Sequence, residues 1–203
     1  IIFVYSVVYV NVSSGKVDWV SPILEEERTP IEVNSFGIAD TGEVMVGFNH
    51  DKSFYVGMVR EGKLEVKHAV PLEMDNYVST KERVYFIKEN AVYEFKRGIR
   101  KKAEFPIGCV AEGILGDELC VASDALGVYF GLGKQWVRFP TLNGVFGLKM
   151  HNDGTVLLAT VAPSFRIDFY QFENPSELFR CNLNKQPQLS KECYSGVEQI
   201  VFQ

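Results

Sequence analysis

The side chains that could carry acid–base chemistry are few in this chain of 203 residues. Its three histidines are His50, His68 and His151. Asp51 follows His50 directly, so the two could act as a general base and the carboxylate that orients it. No serine or cysteine stands at a spacing that completes a nucleophilic triad with them. The sequence therefore assigns no catalytic residue.

A pair of carboxylates would instead indicate glycoside hydrolysis, in which one acid protonates the leaving group and the other acts as nucleophile or base. Asp75 and Glu112 are the two acids that fall on or beside strands where such a pair would stand. Their separation cannot be read from the sequence. The more conservative interpretation is that the acids of the loops serve solubility.

Four cysteines complete the list of reactive groups: Cys109, Cys120, Cys181 and Cys193. They form neither a CxxC motif nor a cluster with histidine, so we expect no metal site and no cofactor. Cys181 and Cys193 flank a loop-like stretch and could form a disulfide or remain two thiols. Cys109 and Cys120 lie in apolar runs typical of buried thiols.

The net charge of −5 argues against a nucleic-acid partner, because phosphate binding needs a basic surface. One basic run, residues 96–102, could form such a surface. The favoured interpretation is a solvated turn and edge strand whose lysines prevent unwanted pairing. The apolar residues 1–10 are too few to cross a bilayer, so we expect no membrane span. The compartment stays open, with an extracellular or cell-surface location favoured over a cytoplasmic one.

The elements that must position these groups are indicated by an internal repeat. Val8-Tyr9, Gly15-Lys16, Trp19-Val20 and Pro22 recur in the same order as Val128-Tyr129, Gly133-Lys134, Trp136-Val137 and Pro140. Weaker copies end at Pro71 and Pro106. Valine and tyrosine suit a pleated surface, glycine a tight turn, and proline the end of an edge strand. Each copy therefore predicts a hairpin whose second strand lies outermost.

Two further strands precede each hairpin, so the unit is a four-stranded meander with strands A to D. Complete units are predicted at residues 35–71, 75–106, 108–140 and 144–184. Residues 1–22 offer strands B to D, and residues 196–203 offer an A-like strand. Joining these two ends gives a fifth unit and leaves no long open edge.

This arrangement resembles the β-propeller superfamily, and the resemblance covers nearly all of the chain. It implies an all-β fold: one domain, residues 1–203, with five four-stranded antiparallel blades closed between the N- and C-terminal strands. The Gly-His and Trp-Asp marks of WD40 repeats and the Gly-Gly pair of kelch repeats are absent, so no family is indicated. A β-sandwich or barrel, which also has short strands at even spacing, is the alternative.

Propellers usually bind partners on the face that carries the D-to-A and B-to-C loops. The resemblance places these candidate binding residues there: His50, Asp51, Glu73, Asp75, Glu89, Asp124, Asn143 and Phe165. The expected function is a non-enzymatic protein-binding or scaffold module, by analogy with the fold. A glycan-binding or glycoside-hydrolysing propeller is one alternative, and a structural subunit of an extracellular or viral assembly is another.

Overall fold

The computed structural model describes residues 6–11, 16–22, 32–38, 44–50, 52–60, 63–79, 83–95, 99–181, 185–193 and 196–202. Within these residues the chain consists of strands, turns and one short helix. It divides into two compact units, Ile1–Glu82 and Arg83–Gln203. The prediction of an all-β fold is confirmed.

The first unit contains the first seven strands, which are β1 (Ser6–Asn11), β2 (Lys16–Pro22), β3 (Glu32–Ile38), β4 (Val44–His50), β5 (Ser53–Arg60), β6 (Lys63–Val70) and β7 (Asn76–Ser79). Strands β1 and β2 form a two-stranded antiparallel sheet, and β3 to β6 form a four-stranded meander. Val46 and Phe48 of β4 are buried with Phe54 and Val56 of β5. These β-branched and aromatic side chains suit a pleated surface, which is why they form the strands of this core.

The second unit contains eleven strands and a helix, which are β8 (Val84–Lys88), β9 (Ala91–Phe95), β10 (Ile99–Glu104), β11 (Val110–Leu115), β12 (Leu119–Asp124), β13 (Gly127–Leu132), β14 (Gln135–Pro140), β15 (Phe146–Met150), β16 (Val156–Ala162), β17 (Arg166–Phe172), α1 (Pro175–Arg180) and β18 (Leu189–Glu192). Two sheets are consecutive meanders, β11 to β14 and β15 to β18. Besides these, the chain has a sheet of order β10-β9-β8-β7 and the meander β3 to β6, so the described residues contain four antiparallel four-stranded sheets, as the meander pattern predicts.

Phe139 lies at the centre of the apolar core that joins the last two sheets of the second unit. Its ring meets those of Phe130, Tyr170 and Phe172 edge to face, with centroids 5.9, 5.6 and 5.9 Å away. Edge-to-face pairs place the positive ring edge on the negative ring face. Complete burial of each phenylalanine stabilises the unit by roughly 1.5–3 kcal/mol.

Helix α1 is inserted between β17 and β18. Asn174 caps it by accepting a hydrogen bond from the Glu177 N–H at 2.9 Å, and Pro175 occupies the first turn. Leu178 is fully buried in the core. Because of this insertion, the fourth strand of the last sheet is Leu189–Glu192, beyond residue 184, where the sequence pattern placed the end of this unit.

Three hairpins share the same irregularity. One extra residue bulges from the second strand of each: Asp18 in β2, Lys67 in β6 and Lys102 in β10. In all three hairpins the bulge stands four residues before a proline of the sequence pattern. A β-bulge bends and twists the strand that carries it. The hairpins therefore resemble one another in backbone geometry as well as in sequence.

The predicted closing strand at residues 196–203 is not present, because the described residues 196–202 contain no strand. Ile200 instead packs on Gly147 of β15, where an added Cβ would lie 2.7 Å from the Ile200 Cγ2 atom. Val197, Ile200 and Phe202 are partly buried, so burial does not alternate along the whole segment.

Candidate functional site

The predicted site residues of the first unit lie at the end of β4 and in the connection between β6 and β7. His50 ends β4, is partly buried, and has its ring 6.3 Å from that of Tyr55. Glu73 and Asp75 are exposed in the connection between β6 and β7. Asp51 lies outside the described residues.

The side-chain amide of Asn49 fixes the connection between β6 and β7. The Asn49 side chain donates to the Met74 carbonyl at 2.8 Å and accepts from the Met74 N–H at 3.1 Å. This double hydrogen bond satisfies the backbone of a buried residue, because Met74 is 1% exposed. The turn after β4 and the connection after β6 are therefore adjacent, as the propeller resemblance implies for B-to-C and D-to-A loops.

The other predicted site residues lie along one edge of the second unit. We call this the loop edge, and it consists of residues 89–90, 105–109, 125–126, 141–144 and 163–165, which are every second connection between strands from β8 to β17. Glu89, Asn143 and Phe165 belong to it, and Asp124 stands directly before one of its turns.

Main-chain hydrogen bonds join some connections of the loop edge to one another. Phe105 donates to the Asn90 carbonyl at 2.9 Å, and Asn143 donates to the Ala125 carbonyl at 2.8 Å. Leu142 then donates to the Val161 carbonyl at 2.7 Å. Paired backbone groups hold their turns in place. These bonds join residues 89–90 to 105–109 and residues 125–126 to 141–144, and they tie the latter connection to β16.

Asp124 serves this network as an acceptor. The Tyr129 hydroxyl donates to its Oδ2 atom at 2.7 Å, and the Leu126 N–H donates to its Oδ1 atom at 2.7 Å. Burial favours a higher pKa for Asp124, but these hydrogen bonds outweigh it and lower the pKa below its usual value. Burial and the hydrogen bond to this carboxylate raise the pKa of Tyr129 to about 12. Asp124 is therefore an ionised structural group.

Asp168 has a similar role beside the turn at residues 163–165. Arg166 donates to both of its oxygens, at 2.7 and 2.9 Å, and the Ser190 hydroxyl donates at 2.6 Å. Burial favours a higher pKa for Asp168, but these donors lower the pKa below its ordinary value. The Asp168 carboxylate therefore joins β17 to β18. The Cys193 N–H also donates a hydrogen bond to the Phe165 carbonyl at 2.8 Å.

Large apolar side chains project from this rigid edge. Ile107 is fully exposed (101%), Leu126 is 64% exposed and Phe165 is 47% exposed. Val110, at the start of β11, is exposed as well. Exposed apolar residues are common when single, but a group on one surface marks a site of interaction.

Ile107 is presented by a tight turn. The Cys109 N–H donates to the Pro106 carbonyl at 3.1 Å, and Gly108 has a φ of +96°. This is the pattern of a type II turn, which needs glycine at its third position. The Asn90 side chain donates to the Phe105 carbonyl directly before the turn. The isoleucine is therefore held away from the core by a fixed backbone.

Phe165 has a left-handed backbone, with a φ of +56°. This conformation is unfavourable for a bulky side chain and costs on the order of 1–3 kcal/mol. Asn143 shares it, with a φ of +53°, but asparagine tolerates this region well. The fold therefore retains an exposed aromatic residue at a position that glycine or asparagine would occupy with less strain.

All four cysteines are free thiols in the structure, including Cys181 and Cys193. The disulfide between these two stays an expectation from the sequence. Burial raises the pKa of Cys120 to about 12, and burial together with the charge of Asp124 raises that of Cys109. These two thiols are therefore protonated at neutral pH.

The two acids considered for glycoside hydrolysis are both exposed, Asp75 in the first unit and Glu112 in the second. Glu112 accepts a hydrogen bond from the Ser123 hydroxyl at 2.6 Å. Among the described residues, no three histidine, cysteine or acidic side chains are placed to hold a metal ion. In the same part of the chain, no helix has the length and apolar character needed to cross a bilayer.

Ile107, Val110 and Leu126 are the surface residues that the sequence does not single out. Ile107 had a recognisable signal, because an apolar residue between Pro106 and Gly108 stands at the tip of a turn. The sequence signal for Leu126 was weaker, because this residue is the second of the two turn residues that follow Asp124. Val110 looks like an ordinary strand residue in the sequence.

Compared with known proteins, the chain matches no family model, and no curated protein sequence is significantly similar to it.

Proposed function

We propose that this protein is a non-enzymatic protein-binding module that contacts its partner through the loop edge. The observation that carries the proposal is the exposure of Ile107, Leu126 and Phe165 on turns that main-chain hydrogen bonds hold in place. Rigid apolar anchors bind tightly because little conformational entropy is lost when they are covered.

The roles of the ionised groups agree with this proposal. Asp124 and Asp168 are held by hydrogen bonds from their own sheets and so act in positioning turns. A catalytic acid or base needs a proton that it can exchange near neutral pH. Hydrogen bonds that lower the pKa of both carboxylates remove that capacity.

We propose that the scaffold is a β-propeller. Three hairpins carry the same bulge at the same distance from a proline. In the second unit, consecutive sheets meet in chain order, because Ala103 of β10 bridges to Gly133 after β13 and Phe139 of β14 packs on Phe172 of β17. A ring of blades would place B-to-C and D-to-A turns on one face.

The binding proposal is tested by affinity capture from an extract of the source cells, followed by quantitative mass spectrometry. The informative variants are Ile107→Ser and Leu126→Ser, with Leu132→Ser as the matched control. Leu132 is 49% exposed at the opposite end of β13. Covering one such side chain contributes roughly 1.5–3 kcal/mol, which corresponds to about tenfold in affinity or more.

We expect at least one protein whose recovery falls about tenfold with either loop-edge variant and stays unchanged with Leu132→Ser. Equal recovery with all four proteins would contradict the proposal. Light scattering of the purified chain tests self-assembly separately. An oligomer that is present in the wild type and lost in the loop-edge variants would indicate a structural subunit instead of a module that binds another protein.

Glycan binding is a second candidate because of Trp136. Its indole is 47% exposed, and its edge packs on Tyr129 with the ring centroids 5.5 Å apart. Arg138 lies over the same tyrosine and supplies hydrogen-bond donors beside the indole. A glycan array with the wild type and Trp136→Ala tests this candidate, which requires a glycan signal that depends on Trp136.

A further inference from the structure

Strand β10 forms a second surface of a different kind. It is the outermost strand of the sheet β10-β9-β8-β7, and it carries Arg100, Lys101 and Lys102 in succession. Arg100 and Lys101 are exposed, and Lys102 is partly buried. Arg83 stands directly before β8 in the same sheet. The register pairs Arg100 with Glu94 and Lys101 with Tyr93, so these two exposed cations project to either side of the β10 edge, where a segment lying along the edge can reach both. They stand in a chain whose net charge is −5.

Neighbouring groups order two of these lysine side chains. The Lys102 Nζ atom lies 5.3 Å from the ring centroid of Tyr85 and donates to the Asp117 carbonyl at 2.8 Å. The Lys101 Nζ atom lies 6.0 Å from the ring centroid of Tyr93. Attraction between an ammonium group and an aromatic face restricts the side chain, and a restricted side chain loses less entropy on binding.

Carboxylates already pair with cations of this surface. Glu104 accepts from the Lys101 ammonium at 2.9 Å, and Glu94 accepts from the Arg83 guanidinium at 2.8 Å. The hydrogen bond to Glu104 uses one of the three donors of the Lys101 ammonium group. The surface is therefore suited to further carboxylate groups.

We infer that the basic strand β10 docks an acidic segment of a protein partner. The net charge of −5 favours a short segment over a long polyanion, because a long polyanion is repelled by the rest of the chain. This inference does not rest on the loop edge and concerns a separate contact. The simpler explanation is that the lysines only prevent edge-to-edge pairing of β10, and it predicts no ligand.

Fluorescence anisotropy of the full chain tests the inference with labelled probes of equal length. The probes are a glutamate-rich peptide of about twelve residues, the matching glutamine-rich peptide, a single-stranded DNA and a heparin oligosaccharide. The test variant is Arg100→Gln/Lys101→Gln. The control variant, Arg180→Gln/Lys191→Gln, removes the same charge from two exposed positions elsewhere in the second unit.

We expect the acidic peptide to bind the wild type and the control equally, and the test variant about tenfold more weakly. Raising the salt concentration from about 50 to about 200 mM should weaken binding several-fold, because exposed charges are screened. The single variants Arg100→Gln and Lys101→Gln should each show part of the loss. Both positions are exposed, so we expect both variants to fold.

Absence of acidic-peptide binding, or an equal loss in the test and control variants, would overturn the inference. Tighter binding of DNA or heparin than of the peptide would overturn it in favour of a nucleic-acid or sulfated-glycan partner. Aggregation of the test variant without any ligand binding would support the edge-protection explanation instead. None of these results depends on Ile107 or Leu126, so they leave the loop-edge proposal to its own experiment.

Discussion

The loop edge and the basic strand β10 belong to the same unit but present opposite surface chemistry. At the loop edge, ionised groups such as Asp124 and Asp168 are buried in hydrogen bonds, and apolar side chains face the solvent. On β10 the charges face the solvent, and Ala103 is turned into the core. The first surface depends on polar contacts between turns for its shape, whereas the second is carried by one strand of a sheet. Substitutions should therefore alter stability at the loop edge and mainly affinity on β10.

The largest expected effect is at Asp168. Asp168→Asn removes a charge that accepts hydrogen bonds from Arg166 and Ser190, so the free energy of unfolding should fall by about 2 kcal/mol at pH 7. The contribution should also depend on pH. Because folding lowers the pKa of Asp168, its stabilisation is complete above the ordinary value of 3.8 and is lost as the pH falls through the folded value.

Urea unfolding between about pH 7 and pH 2 measures both effects. The wild type should lose stability more steeply than Asp168→Asn below about pH 4, so that the two curves converge in acid. As the contrasting variant on β10, Glu104→Gln should leave the melting temperature unchanged within about 1 °C, since exposed ion pairs contribute little. Parallel pH curves for Asp168→Asn and the wild type would refute this account of the loop edge.

A smaller loss is expected at Thr141. Its buried hydroxyl donates to the Val145 carbonyl and accepts from the Val161 N–H at 3.1 Å. Thr141→Val preserves the shape of the side chain but weakens the tie between two connections, so unfolding should become easier by about 1–2 kcal/mol. Thr155→Val, at a turn away from the loop edge and β10, serves as the control. Equal losses for the two variants would show that the loop edge has no special dependence on polar contacts.

Substitution of Phe165 should change stability and partner binding in opposite directions. Phe165→Gly removes the strain of a φ of +56°, so the free energy of unfolding should rise by about 0.5–1 kcal/mol, measured by urea titration. The same change removes an exposed aromatic group, so capture of the loop-edge partner should weaken. Phe165→Asn should behave similarly, because asparagine tolerates this conformation. A loss of stability in both variants would mean that the aromatic ring contributes to packing rather than to binding.

The smallest effect on folding is expected on β10 itself. Glu104→Gln frees the Lys101 ammonium from its pairing at 2.9 Å, and affinity for the acidic peptide should rise about twofold. Anisotropy titration of Glu104→Gln beside Glu118→Gln, an exposed acid elsewhere in the second unit, measures this effect. Weaker peptide binding by Glu104→Gln would contradict the proposed use of the lysine.

Much of the local structure follows from residue types. The meander strands lie where runs such as Val84–Lys88 and Val156–Ala162 predict them, because β-branched and aromatic residues between turn signals favour strands. The sequence pattern also gives the order of the connections at the loop edge. It fails at residues 196–202, where an apolar stretch looks like a strand but packs through Ile200 onto Gly147.

The candidate surfaces divide in the same way. The propeller resemblance predicts Phe165, Asn143 and Asp124 on one loop-bearing face. That Asp124 accepts a hydrogen bond from the Tyr129 hydroxyl is a matter of contact and not of sequence. The sequence also offers Cys181 and Cys193 as a pair, whereas both thiols are free in the fold.

The sequence by itself determined the strand class, the four-stranded unit and the concentration of positive charge before Glu104, since these depend on side-chain type and on neighbours along the chain. The tertiary structure alone decided which side chains are exposed. Ile107 and Ile87 have the same side chain, yet one is fully exposed and the other is buried. Burial depends on contacts between residues far apart in the chain, and no local pattern contains those contacts.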